Sequence, residues 1–232
     1  MASLSDPGGG KPAIEVVLDR GNRVDTPKRK RDAGLSRESI LQAAMEEFSA
    51  HGFDGARIDA IVKRAGVSKN LAYHYFGGKE DLFLHVMERM YAQMRAHHED
   101  LRIKDLPPIE GMSRLVRHTF AHFRDHPEVI SLLNSENLHK AAHIKGSRPI
   151  AALYSTLTQV IRGLLDQGVK EGVFRPNIDP MDLYISISGV GYFYLSNQHT
   201  LGSIFQRDLV APERLKVREE HLVEVILGYR RA

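Results

Sequence analysis

Between Ile58 and Phe76 the chain combines apolar spacing and turn chemistry in a way that leaves little choice of local structure. Ile58, Ile61, Val62 and Ala65 fall at i, i+3, i+4 and i+7, which is one face of a two-turn helix. Gly66 follows where a left-handed turn residue is needed, and Val67 is placed to seal the corner. Ser68 stands as the N-cap of a second helix starting at Lys69, its hydroxyl able to accept from that helix's backbone. Lys69 to Phe76 mixes Lys, Asn, Tyr and His with few residues suited to burial. Two short helices set at an angle by a glycine turn, the second polar and aromatic on its free side, make a helix-turn-helix, a shape that places its second helix in a DNA major groove.

The flanking sequence supports this reading. Ser36 can cap a first helix from Arg37 to about Ala50, with Ile40, Ala44 and Phe48 as an inward stripe and Gly52 as the terminating glycine. After Gly77-Gly78, Lys79-Glu80-Asp81 opens a long helix to about Asp100, whose inward face is Leu82, Phe83, Val86, Met87, Met90 and Met94. Glu80 and Asp81 suit the positive end of that helix; Lys79 does not, and a nearby phosphate would explain it. Leu106-Pro107-Pro108 breaks the chain. Beyond it the period is helical throughout, with helices expected over 109–125, 127–143, 148–171, 180–198 and 213–230. Strand signals and internal repeats are almost absent, so the fold is read as all-α.

The stretches ILQAAMEEFSAHGFDGARIDAIVKRA (40–65) and GVSKNLAYHYFGGKEDLF (66–83) closely resemble the DNA-binding end of the tetracycline-repressor (TetR) family of bacterial regulators. The resemblance covers about residues 36 to 90. It implies an N-terminal three-helix helix-turn-helix DNA-binding domain (36–82) and a C-terminal helical effector-binding and dimerisation domain (83–232). It also implies a bacterial, cytoplasmic regulator, at the nucleoid when bound to a double-stranded operator. Base-edge contact is implied for Lys69, Asn70 and Tyr73, and phosphate contact for His74, Tyr75 and Lys79, with Ser68 at the helix start. The chemistry is compatible: Lys can donate to guanine, Asn can pair with adenine, and a Tyr ring can touch a thymine methyl. Tyr75 has a second reading as a packing residue of the small domain. Ala56-Arg57 stands where the family commonly places Ser or Thr, so Arg57 would replace a hydroxyl as phosphate donor. Leu71-Ala72 replaces Thr-Leu, so no operator sequence carries over.

Residues 36–81 hold six Lys/Arg against seven Asp/Glu, so attraction to DNA must come from where charges sit rather than from their sum. Residues 1–35 are read as a disordered arm carrying Lys28, Arg29, Lys30 and Arg31. That cluster would lie along phosphates or in a minor groove, or would simply keep the chain in solution.

In the regulatory half, Asn134, Glu136, Asn137, His139, Tyr154, Tyr184, Tyr192 and Asn197 are the candidate lining of a small-molecule effector cavity. The long fourth helix, shared by both halves, is the expected lever. The last two helices are expected to pair two copies into a homodimer. Leu183, Ile187, Val190, Tyr194 and Leu195 would form one contact stripe, and Leu215, Leu222, Val225, Ile226 and Tyr229 the other.

The excluded classes are clear. With no cysteine there is no disulfide framework, thiolate metal site or cysteine nucleophile. No apolar run approaches eighteen residues, so no membrane partner is expected. His118, His122 and His126 step by four, as do His139 and His143, the one pattern hinting at a metal-dependent hydrolase. No acidic cluster, nucleophile elbow or phosphate loop accompanies them, so neither an enzyme nor a metal or cofactor is expected. The expected function is a ligand-responsive regulator, a repressor released by its effector, with an activator on the same fold as the alternative.

Overall fold

The structure, a computed structural model, describes the backbone of residues 27–100 and 102–228, and the side chains of 34–96 and 102–228. Ten α-helices follow one another: α1 (Pro27–Gly55), α2 (Ile58–Ala65), α3 (Lys69–Phe76), α4 (Lys79–Asp100), α5 (Pro108–Asp125), α6 (Pro127–Leu138), α7 (Arg148–Lys170), α8 (Pro180–Ser196), α9 (Gln198–Phe205) and α10 (Pro212–Gly228), with a 3₁₀ turn at Ile103–Asp105 between α4 and α5. Among the described residues every regular element is helical, and no helix is long and apolar enough to cross a membrane.

The head is α1 to α3 resting on the first turns of α4. Phe48, Ile61, Phe76 and Phe83 are buried together there, so two eight-residue helices too short to persist alone gain a shared core. The body wraps α5 in α7, α8 and α10, with α6 leaning on α1. Leu115, Phe120 and Ile161 are buried at its centre. A division at residue 82 falls inside α4, one continuous helix belonging to both parts.

Four expectations are corrected. Helix α1 begins at Pro27, not Arg37, so residues 27–35 of the proposed disordered arm have helical backbone. Proline costs little in a first helical turn, and the Lys/Arg run after it is good helix-forming composition, so Ser36 lies inside the helix and not at its start. Residues 1–26, and the side chains of Lys28, Arg29, Lys30 and Arg31, lie outside the described residues. The same helix is interrupted at Gly52 (φ 66°, ψ 178°), where the terminating glycine was expected.

Helix α6 stops at Leu138, five residues early. Lys140 and Ala141 turn left-handed, and the buried Glu136 carboxylate accepts from the backbone of His143 (3.0 Å) and Ile144 (3.1 Å), holding a compact turn in place of another helical turn. The segment after Ser196 forms a separate helix, α9, ended by Gln206 in the left-handed region.

The fourth correction concerns α8. Leu183, Ile187, Tyr194 and Leu195 are buried within the chain's own core, and Val190 is half-buried. The outward row is Met181, Ile185, Gly189 and Phe193, spaced by four, with Phe193 at 59% exposure. On α10, Leu222 and Ile226 point inward and Leu215 is half-buried, whereas Val217, His221 and Val225 point out; Tyr229 lies outside the described residues. Helix α8 is apolar on nearly every side, and a helix of that kind gives no periodic sign of which face the core takes.

Candidate DNA-reading face and effector cavity

Local chemistry aims α3. Gly66 takes the left-handed conformation at φ 68°, ψ 30°, and the N–H of Val67 returns to the Val62 carbonyl at 3.1 Å, closing α2. Ser68 Oγ accepts from the Leu71 N–H at 3.3 Å, capping α3. With the axis so fixed, Ala72 and Phe76 are driven inward and Lys69, Asn70, Tyr73 and His74 face out. Tyr73 is 45% exposed, a large aromatic surface left to water on a helix that could have hidden it. Tyr75 is half-buried and packs on the core, so the packing reading accounts for its ring. Ser68 and Arg57 are exposed at the starts of α3 and α2. The Arg57 side chain caps nothing, and its backbone N–H donates to Glu47 Oε1 at 3.2 Å.

Lys69 is not idle in the free protein. Its ammonium lies 2.8 Å from Asp59 on α2, and that hydrogen bond and charge raise its pKa above the ordinary lysine value. Both groups are well exposed, so the pair is screened by water and readily exchanged for another partner. Lys79 has a structural reason that the sequence did not reveal. Its ammonium donates to the Asp54 carbonyl at 3.3 Å and lies 4.9 Å above the Phe53 ring.

Phe53 is the joint between head and body. Its N–H donates to Ser135 Oγ of α6 at 2.9 Å, and its ring sits among Phe48, Phe83, His139 and His143. His139 Nε2 lies 3.3 Å from Asp54 Oδ2. His143 Nδ1 lies 2.7 Å from Glu136 Oε2. Glu136 and His139 therefore serve the joint and are not among the residues that line the cavity between α4 and α8. Among the described residues no three groups of metal-ligating type gather closely enough to hold an ion.

A cavity of about 260 Å³ opens between α4, α5, α6, α7 and α8. Its walls include the rings of Phe123, Tyr154, Tyr184 and Tyr192, with Met94, Leu133 and Ile185 between them. Asn137, Ser188 and Gly189 complete it. Of the eight candidates, Asn137, Tyr154, Tyr184 and Tyr192 meet here. Asn134 sits outside, where its amide oxygen holds the Tyr192 hydroxyl. Asn197 ends α8 and donates to the Phe193 carbonyl. Larger grooves of about 690 and 610 Å³ lie against α1 and α9, but neither gathers this density of rings and phenols.

Behind the tyrosines lies a residue that sequence reasoning passed over. Arg95 is 4% exposed, donates from Nη2 to the Tyr184 hydroxyl at 2.7 Å, and stacks over the Tyr154 and Tyr184 rings at 4.7 and 5.2 Å. Phe83, Met87, Tyr91 and Arg95 step by four along α4, so Arg95 falls on the inward stripe, and that spacing was the available signal. Burial pushes the Tyr91 phenol up to about 12 and raises the Tyr154 phenol as well, with Tyr184 adding to both and Arg95 opposing both. Both remain protonated near neutral pH, able to donate.

Two family models match the chain. The one described as bacterial regulatory proteins of the tetR family covers residues 40–86, and the tetracyclin repressor-like C-terminal domain covers residues 108–226. The transcriptional repressor NicS of Pseudomonas putida is 36% identical over 79% of this chain and 87% of its own length. The transcriptional regulator RutR of Escherichia coli is 31% identical over 78% of this chain and 81% of its own. The crystal structure of the regulator SCO4942 from Streptomyces coelicolor superposes with a TM-score of 0.64 at 27% identity, over 84% of this chain and 98% of that one.

Proposed function

The chain belongs to the TetR family of bacterial transcriptional regulators, and from that premise we propose that it is a repressor that binds a palindromic operator as a homodimer and lets go when a small molecule fills the α4–α8 cavity. It is a DNA-binding regulator and not an enzyme. The observation that carries the reading is the outward row Lys69, Asn70, Tyr73 and His74 on a helix whose opposite side is locked by Ala72 and Phe76. In this reading Lys69, Asn70 and Tyr73 contact base edges, while His74, Arg57, Ser68 and the basic residues Lys28 to Arg31 contact phosphates.

One head reads only a few base pairs, so two copies are required. The outward rows of α8 and α10 supply the surface, with Met181, Ile185, Gly189 and Phe193 meeting their counterparts about a twofold axis. Ile185 and Gly189 also line the cavity, so the partner copy would cover its mouth. A ligand there would press on α6 through Leu133 and Asn137, and α6 holds the head through Ser135 and Phe53. Such a ligand changes DNA affinity only by preferring one spacing of the two heads. The protein would act in the bacterial cytoplasm, at the nucleoid when bound.

Selection of bound duplexes from a random pool, followed by footprinting, tests this. Two inverted half-sites centred about 34–36 Å apart, or a multiple of that, are expected. A single unpaired site, or no enriched sequence, would refute it.

A further inference from the structure

We propose that the effector is a small aromatic carboxylate whose charge is met by Arg95, an inference that rests on reading the α4–α8 cavity as the effector site. Arg95 places a cationic side chain, a planar guanidinium with five N–H donors, in the interior. Its Nη2 reaches the Tyr184 hydroxyl, but Nε and Nη1 are buried without an acceptor. Cation–π attraction to two tyrosine rings offsets only part of the cost of desolvating such an ion. A buried cation of this kind calls for an anion.

Among the described residues, the carboxylate that acts on the same tyrosine cluster is already committed. Glu136 accepts from His143 Nδ1 and from the backbone of His143 and Ile144, and it serves the turn after α6. Meanwhile Ser188 Oγ, on the cavity wall itself, is also buried without a partner. Ser188 lines the cavity and Arg95 lies behind it, joined to the wall through the Tyr184 hydroxyl, so an anion seated against that hydroxyl would answer both groups. Because Tyr184 accepts from Arg95, its own proton is left to point elsewhere, and its approach to the Tyr154 oxygen is long at 3.5 Å. That proton is available to the ligand.

Shape narrows the class. Phe123 and Tyr192 stand with ring centroids 5.7 Å apart, and Tyr154 and Tyr184 5.5 Å apart, both nearly perpendicular, so a flat ring would meet aromatic surface on several sides. The volume of about 260 Å³ lies just under the range of drug-sized sites and suits a single small ring compound better than a long acyl chain or a nucleotide. One planar guanidinium fork with hydroxyl donors matches a monoanionic carboxylate; a phosphate dianion would require a second cation.

The test uses the full-length dimer with benzoate and salicylate against benzamide and salicylamide, reading thermal stabilisation and release of the selected operator. At least one carboxylate should stabilise the protein and release DNA, with affinity at least tenfold above its amide. Arg95→Met should abolish that preference. Tyr184→Phe and Ser188→Ala, which keep the packing, should each weaken the carboxylate severalfold and leave the amide unchanged; they carry the test if Arg95→Met fails to fold. Amides binding as well as carboxylates, a preference that survives these substitutions, or no carboxylate binding at millimolar concentration would each overturn the proposal. A neutral ring compound that releases DNA, and loses that effect in Tyr192→Ala, would overturn the anion while leaving the cavity as effector site. Release that ignores Tyr192→Ala would remove the cavity reading itself.

Discussion

The head and the body of this protein obey different kinds of instruction. In the head, the residues that aim α3 act on neighbours within four positions: Gly66 turns the chain and Ser68 caps α3, which presents Ala72 and Phe76 to the shared core. In the body, the decisive contacts span dozens of residues, as between Arg95 and Tyr184 or Phe53 and Ser135. Short-range rules aim a reading helix tightly, whereas a cavity that must accept and sense a ligand is assembled from distant helices that can shift against one another.

The sharpest break of this comparison uses two residues of α8. Phe193→Asp places a charge on the outward row, where the single chain tolerates it. Sedimentation should show the dimer splitting, with operator affinity falling by about two to four orders of magnitude as the linked second head is lost. Leu195→Asp, two positions on and buried, should instead unfold the body. If both substitutions behave alike, the two-faced account of α8 is wrong.

Opposite sides of α3 separate in the same way. Phe76→Ala should cost about 3–5 kcal/mol in chemical denaturation, through a lost ring in the head core. Tyr73→Ala should leave the melting curve alone and remove about 1–3 kcal/mol of specific operator binding, read by anisotropy.

This division also explains what was legible in the sequence. The limits of α2 and α3, the left-handed Gly66 and the Ser68 cap follow from spacing and turn chemistry that need no tertiary information. The inward face of α8 did not, because Met181, Ile185 and Phe193 are as apolar as Leu183 and Ile187. In the cavity, polarity within a helical stretch pointed to Asn137, Tyr154, Tyr184 and Tyr192. It equally pointed to Glu136 and His139, which went to the joint, and it could not reveal that Arg95 pairs with no carboxylate among the described residues.

Smaller effects probe the joint and the reading face. Ser135→Ala leaves the half-buried Phe53 N–H without its acceptor, which should cost about 1 kcal/mol of stability. Effector-driven release should weaken more than operator binding does. Asp59→Asn frees Lys69 and removes an anion beside the duplex, so operator affinity should rise severalfold at low salt and the gain should fade as salt is added.

The central claim is that α3 reads bases, twice, from its outward row. Repeating the duplex selection with Asn70→Ala tests it most directly. The account predicts that base preference relaxes at one position in each half-site, symmetric about the operator centre, with the other positions kept. An unchanged consensus, or relaxation in only one half, would contradict it.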